Sequence, residues 1–473
     1  MSLIIYRKNT MAAQLYKTES GRLFHAGKIA IITVGLPARG KTHISRSLCR
    51  YLRWLGVPTK VFSVGNYRRK AMGTAGKLPQ NFFDFGNQEA AQSRRKIAKE
   101  CLMDMISWLE AGGQVGIFDA SNTTEERRKE IYNILISEDI HPVFIESMCD
   151  KQDIIEANIR SVKITSPDYI GWDREAAVKD YWKRINNHLG HYQTIADTSL
   201  SFVKMINVGE RIIVNNVKGY LQSRIVFYLM NLHISPRIIY FAQTGETLNE
   251  KVQKADAELS PDGIRYANYL KNFLLNLREK EKKQRIEEGW GDEDERTLTI
   301  WTSARRRSYQ TAKPFEDEGY IIEQRTSMAE LNLGIVDGLT VDEIKARFPE
   351  EYERQQQDLY HHRYPRAESY HDLAVRLESI ILELEHEKND VLIIAHETVL
   401  KCLYAYLFDQ PEDEIPRNII PKNYLIEIIP SAYGCRETRM EIEYTMNQTW
   451  TLFWDTSVCY FEPNKAFLRV GDF

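Results

Sequence analysis

Residues Gly35, Gly40, Lys41 and Thr42, within the run KIAIITVGLPARGKT, fit the spacing G-x-x-x-x-G-K-[ST]. In such a loop the glycines let backbone N–H groups converge on phosphate oxygens. The lysine neutralises charge at the β- and γ-phosphates, and the hydroxyl reaches Mg²⁺. Thr42 and any nearby carboxylate are thus the candidate metal-side groups. A glycine turn alone can mimic this pattern, so its context decides. The apolar residues 29–34 predict a buried parallel strand before the loop, and residues 42–54 have helical spacing after it. A helix N-terminus there adds its dipole to the anion site. The pattern points to a bound nucleoside triphosphate, ATP or GTP.

Phosphoryl transfer needs positioning and charge neutralisation more than covalent chemistry. GQVGIFDAS places Asp119 at the carboxyl end of an apolar run, where open α/β sheets build their sites. A carboxylate there can hold a metal's water shell or accept the proton of an attacking hydroxyl. The bland alternative is a cap on a helix starting at Thr123. Ser121, Asn122 and Thr123 add hydroxyl and amide groups beside it. Cations follow in pairs: Arg68 and Arg69, Arg94 and Arg95, Arg127 and Arg128. Any one of them is most simply a solvated residue. Together they predict a second phosphate, because guanidinium grips phosphate bidentately and stays charged. The acceptor is then itself a phosphorylated metabolite. Lys163 and Arg184 carry a weaker signal on pattern alone.

The elements that must position these groups read as α/β. With 473 residues, two or three domains are expected. Short apolar runs at 29–34, 60–64, 115–118 and 142–147 alternate with helical stretches such as 88–110, the mark of a mostly parallel sheet. A second α/β pattern starts with RIIYFA at Arg237 and includes strands at 298–302 and 391–395. The boundary falls at Ile234-Ser235-Pro236, since proline restricts its neighbour and removes a donor. This divides the chain into an N-terminal segment 1–27, a domain 28–234, a domain 235–443 and a tail 444–473. The highly charged stretch 278–296, REKEKKQRIEEGWGDEDER, reads as a solvated surface excursion.

Composition narrows the class further. Hydrophobic residues at 43% and aromatics at 11% are ample for packed cores, and a net charge of −3 excludes a globally basic nucleic-acid binder. Six scattered cysteines with no C-x-x-C pair fit reduced thiols in a cytoplasmic chain. No apolar run approaches the ~20 residues of a membrane helix, and no secretory leader opens the sequence.

The motifs GLPARGKT, KVFSVGNYRR, FDASNTTEERR, FIESMCD, VKITSPDY and QSRIVFYLMN occur in this order over nearly all of residues 28–232. In this the chain resembles the kinase half of the 6-phosphofructo-2-kinase/fructose-2,6-bisphosphatase family. The resemblance implies a P-loop NTPase-type domain with ATP on Gly35, Leu36, Pro37, Ala38, Arg39, Gly40, Lys41, Thr42 and His43, and on Asn158 to Lys163. It implies fructose 6-phosphate on Arg68, Arg94, Arg127, Lys163 and Arg184, with Asp119 and Cys149 in the active site. Lys41 and Lys163 would stand with them in catalysis, and Thr42 and Asp119 beside Mg²⁺. The chemistry of a thiol gives Cys149 no evident task, and packing is the alternative. Ser121 stands where a threonine is usual and His188 where a tyrosine is usual. Both keep a polar tip, so altered sugar affinity rather than loss is expected.

The second half resembles the same family's domain related to phosphoglycerate mutases and histidine phosphatases. The motifs are RIIYFAQTGET, IWTSARRRSYQTA, MAELNLGIVDGLT, YPRAESY, LIIAHETVLKCLYAY and IPSAYGC. That family's chemistry rests on Arg-His-Gly-Glu after the first strand, where the histidine takes the phosphoryl group and the arginine braces it. This chain reads Gln243-Thr244-Gly245-Glu246. A threonine hydroxyl needs a partner to take its proton before it attacks phosphorus. Gln355 and Leu359 replace a further Arg and Lys, and Val341 replaces a Tyr. Arg307, Glu330, Tyr370 and His396 survive as a shell. The expectation is a homodimeric 6-phosphofructo-2-kinase making fructose 2,6-bisphosphate, with a degenerate phosphatase site. The alternative is a non-catalytic sensor of ATP and sugar phosphate.

Overall fold

A computed structural model describes the chain over residues 27–74, 78, 82–84, 86–152, 154–156, 158–159, 167–169, 171–207, 209–234, 237–248, 256–287 and 297–442. These fall into two compact units, the first ending at Ile234 and the second beginning at Arg237. The remaining residues, including Lys163 and nearly all of the two terminal segments, lie outside the described residues.

In the first unit six strands run β1 Lys28–Val34, β2 Thr59–Ser63, β3 Val115–Asp119, β4 Ile140–Met148, β5 Phe202–Ile206 and β6 Arg211–Asn215. Their order in the sheet is β2-β3-β1-β4-β5-β6, parallel except for β6, which runs antiparallel to β5. Residues 29–34 are buried without alternation because helices cover both faces of a parallel sheet. Each such Ile or Val contributes roughly 1.5–3 kcal/mol by leaving water. The helices are α1 Lys41–Trp54, α2 Val64–Met72, α3 Gln88–Glu110, α4 Glu125–Ser137, α5 Arg174–Leu189 and α6 Tyr220–Asn231. Local chemistry starts them: Asn87 Oδ1 accepts from Ala90 N at 3.0 Å, and Asp173 Oδ2 accepts from Glu175 and Ala176 N at 3.0 Å. Val64, β-branched and expected to end a strand, instead opens α2.

In the second unit the strands are β7 Ile239–Gln243, β8 Leu298–Ser303, β9 Ile322–Arg325, β10 Asp390–Ala395, β11 Tyr424–Ser431 and β12 Gly434–Glu441. Their order is β12-β11-β7-β10-β8-β9, with β11 antiparallel to β7. Around them lie α7 Pro261–Glu287, α8 Arg306–Glu316, α9 Val341–Arg347, α10 Pro349–Gln357, α11 Tyr370–Arg376, α12 Glu378–His386 and α13 Glu397–Leu407. Both units are thus α/β, as their alternating patterns predict.

The charged stretch corrects one expectation. Residues 278–287 are not a surface excursion but the last turns of α7. Their charges satisfy helical neighbours, as in the 2.8 Å Lys283–Glu279 pair at i and i+4. Arg278 points inward, its Nη1 donating to Asp390 Oδ2 at 2.6 Å, while Asp390 Oδ1 accepts from Ile238 N at 2.8 Å. Residues 288–296 lie outside the described residues. Among the described residues, no helix is long and apolar enough to cross a membrane.

Candidate functional site

Strand register builds the first site. β1 is flanked by β3 and β4, with Ile32 opposite Phe118 and Val34 opposite Glu146, so the chain leaving Val34 emerges beside Asp119 and Ser147. This is the point where the strand order changes direction, the usual location of a ligand crevice in an open sheet.

The loop at this point tolerates only glycine at its first position. Gly35 has φ 141°, and a Cβ there would collide with the Ser147 carbonyl oxygen. Its own N–H donates to Ser121 O at 2.9 Å. Gly40, at φ 76°, turns the chain into α1, whose first N–H groups have no partners within the helix. The intervening residues are fastened by their surroundings. Arg39 Nε donates to Cys149 O at 3.0 Å, Asn158 Nδ2 to Ala38 O at 3.1 Å, and Ala38 N to Tyr181 Oη at 3.3 Å. Ser147 Oγ donates to Arg39 O.

Lys41 and Asp119 sit inside this frame. The Lys41 side chain is buried, and its Nζ donates to Leu36 O at 2.6 Å. Burial pulls its ammonium down to about 8; the nearby Asp119 charge opposes the fall and Arg39 adds to it. Thr42 Oγ1 donates to Asp119 Oδ2 at 3.0 Å. The helix capped by Thr124 starts at Glu125, so Asp119 does not cap it. A hydroxyl and a carboxylate in contact, both hard oxygen donors, suit a small hard cation such as Mg²⁺.

The arginines separate into two roles. Arg128 is structural, donating to the carbonyls of Asn122 and Thr123 at 3.2 and 3.1 Å, and Arg95 is exposed. Arg127 Nε is steered by Asn122 Oδ1 at 3.1 Å, and Asn122 Nδ2 in turn holds Thr33 O at 2.8 Å. Arg94 Nη1 donates to the carbonyls of Phe82 and, at 3.2 Å, Asp84. Arg68 and Arg184 are 7% and 9% exposed and share the neighbours Phe83 and Asp168. His188 lies on α5, and burial together with Lys41 and Arg94 pulls its imidazole down to about 4, so it is neutral at pH 7. Cys149 follows β4 and packs partly against Ala38, Ile155, Ile159 and Ile185. Its backbone carbonyl braces Arg39.

Sequence reasoning missed Asp168, Tyr181 and Phe83 as parts of this site. Asp168 lies in a quoted motif, and a lone acid among expected anion-binding arginines was the available signal. Tyr181 and Phe83 gave none, since a buried ring reads as core.

The second unit assembles its own group of polar residues. Gln243 pairs in register with Ala395, which brings Thr244 and His396 side by side at the carboxyl ends of β7 and β10. Thr244 N donates to Ala395 O at 3.3 Å, and Gly245 N to Thr311 Oγ1 at 3.0 Å. Thr311 Oγ1 donates to Arg307 O at 2.7 Å. The Gln243 side chain is buried and donates to Ile420 O. Arg307 forms an ion pair with buried Glu330, whose Oε2 lies 3.8 Å from His396 Nε2. Burial, with Arg307 next, pulls the His396 imidazole down to about 3. Its Nδ1 accepts from Thr398 N at 3.4 Å, which leaves the proton to Nε2 in the neutral ring. Tyr370 opens α11, and burial raises its phenol. Gln355 Oε1 accepts from Tyr364 Oη at 3.0 Å, and Val341 is exposed.

A mononucleotide-binding loop at a sheet's turning point, followed by a second α/β unit with a polar cluster at its strand ends, defines a two-part phosphoryl enzyme class. A 6-phosphofructo-2-kinase family model matches residues 16–236, and a histidine phosphatase superfamily (branch 1) model matches residues 239–442. The chain is 43% identical over 413 residues to the 6-phosphofructo-2-kinase/fructose-2,6-bisphosphatase 3 of Rattus norvegicus, covering 86% of this chain and 70% of that protein. It is 42% identical over 412 residues to the Aquarana catesbeiana 6-phosphofructo-2-kinase/fructose-2,6-bisphosphatase, covering 86% and 83%. A Caenorhabditis elegans protein of the same name is 38% identical over 431 residues, covering 89% and 90%. The chain belongs to the 6-phosphofructo-2-kinase/fructose-2,6-bisphosphatase family.

Proposed function

We propose that the first unit transfers the γ-phosphoryl group of MgATP to the 2-hydroxyl of fructose 6-phosphate, and that the second unit does not hydrolyse the product. The observation that carries the kinase reading is the Thr42–Asp119 hydrogen bond beside buried Lys41 in a strand–loop–helix frame. Mg²⁺, when bound, neutralises charge that spreads over the transferring phosphoryl oxygens. Thr42 and Asp119 would hold it. Lys41 is the cation for the β- and γ-phosphates, and the Gly35–His43 backbone with Asn158 frames the rest of ATP. Arg68, Arg94, Arg127 and Arg184 hold the sugar phosphate. Ser121 and His188 line the acceptor side, and the family resemblance adds Lys163, which lies outside the described residues. Such positioning accounts for most of the catalysis, because the transition state needs little covalent help.

The phosphatase reading rests on Thr244. A hydroxyl there needs a base to take its proton, and two nearby candidates are committed elsewhere: His396 Nδ1 is turned to Thr398 and Glu330 is engaged by Arg307. Gln243 supplies an amide in place of a cation. Purified protein given MgATP and fructose 6-phosphate should form an acid-labile sugar bisphosphate, and Lys41→Ala should abolish this while the fold persists. Absence of product at saturating reactants would sink the kinase reading. The departures at Ser121 and His188 favour a second reading, a sensor; calorimetric binding of both ligands without turnover is its signature.

The chain is further proposed to be a homodimer. Support comes from β6, which ends its sheet and exposes Ile213 and Val214, a pairing edge left apolar.

A further inference from the structure

The kinase reading assigns the arginines but leaves one buried acid beside them without a task. Asp168 is 6% exposed and its carboxylate meets three guanidinium groups. Arg68 Nη2 donates to both of its oxygens, Arg69 Nη1 donates to Oδ2 at 3.3 Å, and Arg184 Nη1 lies 3.7 Å from Oδ2. Burial alone would raise this carboxyl; the three arginines outweigh it and hold the group below the usual carboxylate range.

The contacts cross-link two elements. Arg68 and Arg69 stand on α2, whereas Arg184 stands on α5. The next residue ties the same segment to α5, since Tyr169 Oη donates to Asp180 Oδ2 at 2.7 Å, and Asp180 also forms an ion pair with Arg184, Oδ2 lying 2.9 Å from Nε. Phe83 completes the arrangement, with the Arg184 guanidinium 4.1 Å and the Arg68 guanidinium 5.4 Å from its ring centre. Three cations, Arg68, Arg69 and Arg184, against two anions, Asp168 and Asp180, leave a net positive centre. A guanidinium has five N–H donors, and Asp168 engages only Nη2 of Arg68. Nε of Arg68 is buried with no hydrogen-bond partner, which leaves a donor for a second anion.

We propose that Asp168 is a positioning residue for the acceptor sugar phosphate, a counter-ion that draws Arg68 and Arg184 from two helices onto one phosphate. This deepens the kinase reading and rests on it. A competing role has the opposite sign. If Asp168 merely occupied the phosphate's place, removing its charge would strengthen sugar-phosphate binding.

The test compares full-length wild type, Asp168→Asn and Asp168→Ala by initial rates, calorimetric titration with fructose 6-phosphate and thermal melting. One misplaced charge-assisted contact predicts KM and Kd for fructose 6-phosphate raised about tenfold or more in Asp168→Asn, and further in Asp168→Ala. kcat at saturation should stay within about threefold, with KM for ATP unchanged, because ATP is held elsewhere. A lower or unchanged KM for the sugar phosphate overturns the proposal. So does a loss of kcat matched only by a loss of folded protein. Should Asp168→Ala not fold, the near-isosteric Asp168→Asn decides alone. If wild type shows no turnover, the kinase reading fails by itself and the calorimetric Kd still decides. A weaker Kd in Asp168→Asn supports the positioning role, and an equal or tighter one refutes it.

Discussion

Restoring a histidine at position 244 should recover little hydrolysis, and the shortfall can be worked from the site. The backbone there is held by Thr244 N to Ala395 O and Gly245 N to Thr311 Oγ1, so an imidazole would be delivered to the place where the hydroxyl now sits. Arg307, Glu330 and His396 already form a connected cluster, with His396 following the Ala395 that Thr244 N contacts. Loss of a covalent nucleophile commonly costs about 10⁴ in rate, or ~5–6 kcal/mol of barrier. Thr244→His addresses that part. It does not replace the cation, because Gln243 spends its amide on Ile420 O and Arg307 is shared with Glu330. One missing charge-assisted phosphate contact is worth ~1.5–3 kcal/mol, a factor of about 10–150. The single reversion should therefore run about 10–150-fold below the double variant Gln243→Arg/Thr244→His. Phosphate release from fructose 2,6-bisphosphate, with acid-quench trapping of a phosphoprotein, reads both. Equal rates for the single and double variants, or a phosphoprotein formed by wild type, would refute the reasoning.

Other consequences are more local. Gly35→Ala should abolish ATP binding and lower the melting temperature, since its Cβ meets the Ser147 carbonyl at a φ that alanine disfavours; a variant that binds ATP normally by calorimetry would contradict the loop geometry. Lys41 in the free protein is held at about 8, and polyphosphate should restore its proton. Near pH 8, MgATP binding should therefore take up about half a proton from this group, falling towards zero below pH 7; calorimetry in buffers of different ionisation enthalpy checks this, and buffer-independent heats at pH 8 would contradict it. The linkage to folding has the corresponding sign: the unfolded lysine, at its ordinary value near 10.5, binds more protons than the native one as pH rises from 8 towards 10.5. Lys41 thus costs stability below pH 8 and releases that cost through this window, so Lys41→Met should flatten the rise in denaturant midpoint there. Val214→Lys should yield monomers by light scattering with secondary structure intact, and an unchanged mass would remove β6 as the pairing edge.

The nucleotide loop was legible because its chemistry is local: eight consecutive residues fix glycine dihedrals, a cation and a hydroxyl, and a strand and a helix must flank them. Asp119 was legible for the same reason, as the polar residue that ends an apolar strand. The direct hydrogen bond to it was not, because Thr42 and Asp119 stand 77 residues apart and meet only once β1 and β3 pair as neighbours. Asp168 was harder still. Its three arginines come from two helices, and charge counting along the chain cannot tell a solvated acid from a buried counter-ion. Val64 and Arg278 show the limits of local pattern in both directions. A β-branched residue opens a helix just after the last register pair of β2 with β3, Ser63 opposite Asp119, and a residue in a charge-rich stretch turns inward to meet Asp390.

The way Thr244 is anchored has a consequence for how such a unit can change over time. It is secured through its main-chain N–H, so this anchor persists whichever side chain position 244 carries. An activity resident there can vanish through a single replacement without exposing the chain to unfolding or degradation. Arg307 and Glu330, which neutralise one another in the interior, have no such freedom. A loss of activity at 244 would leave that anchor in place, and with it a folded body whose surfaces stay available to natural selection.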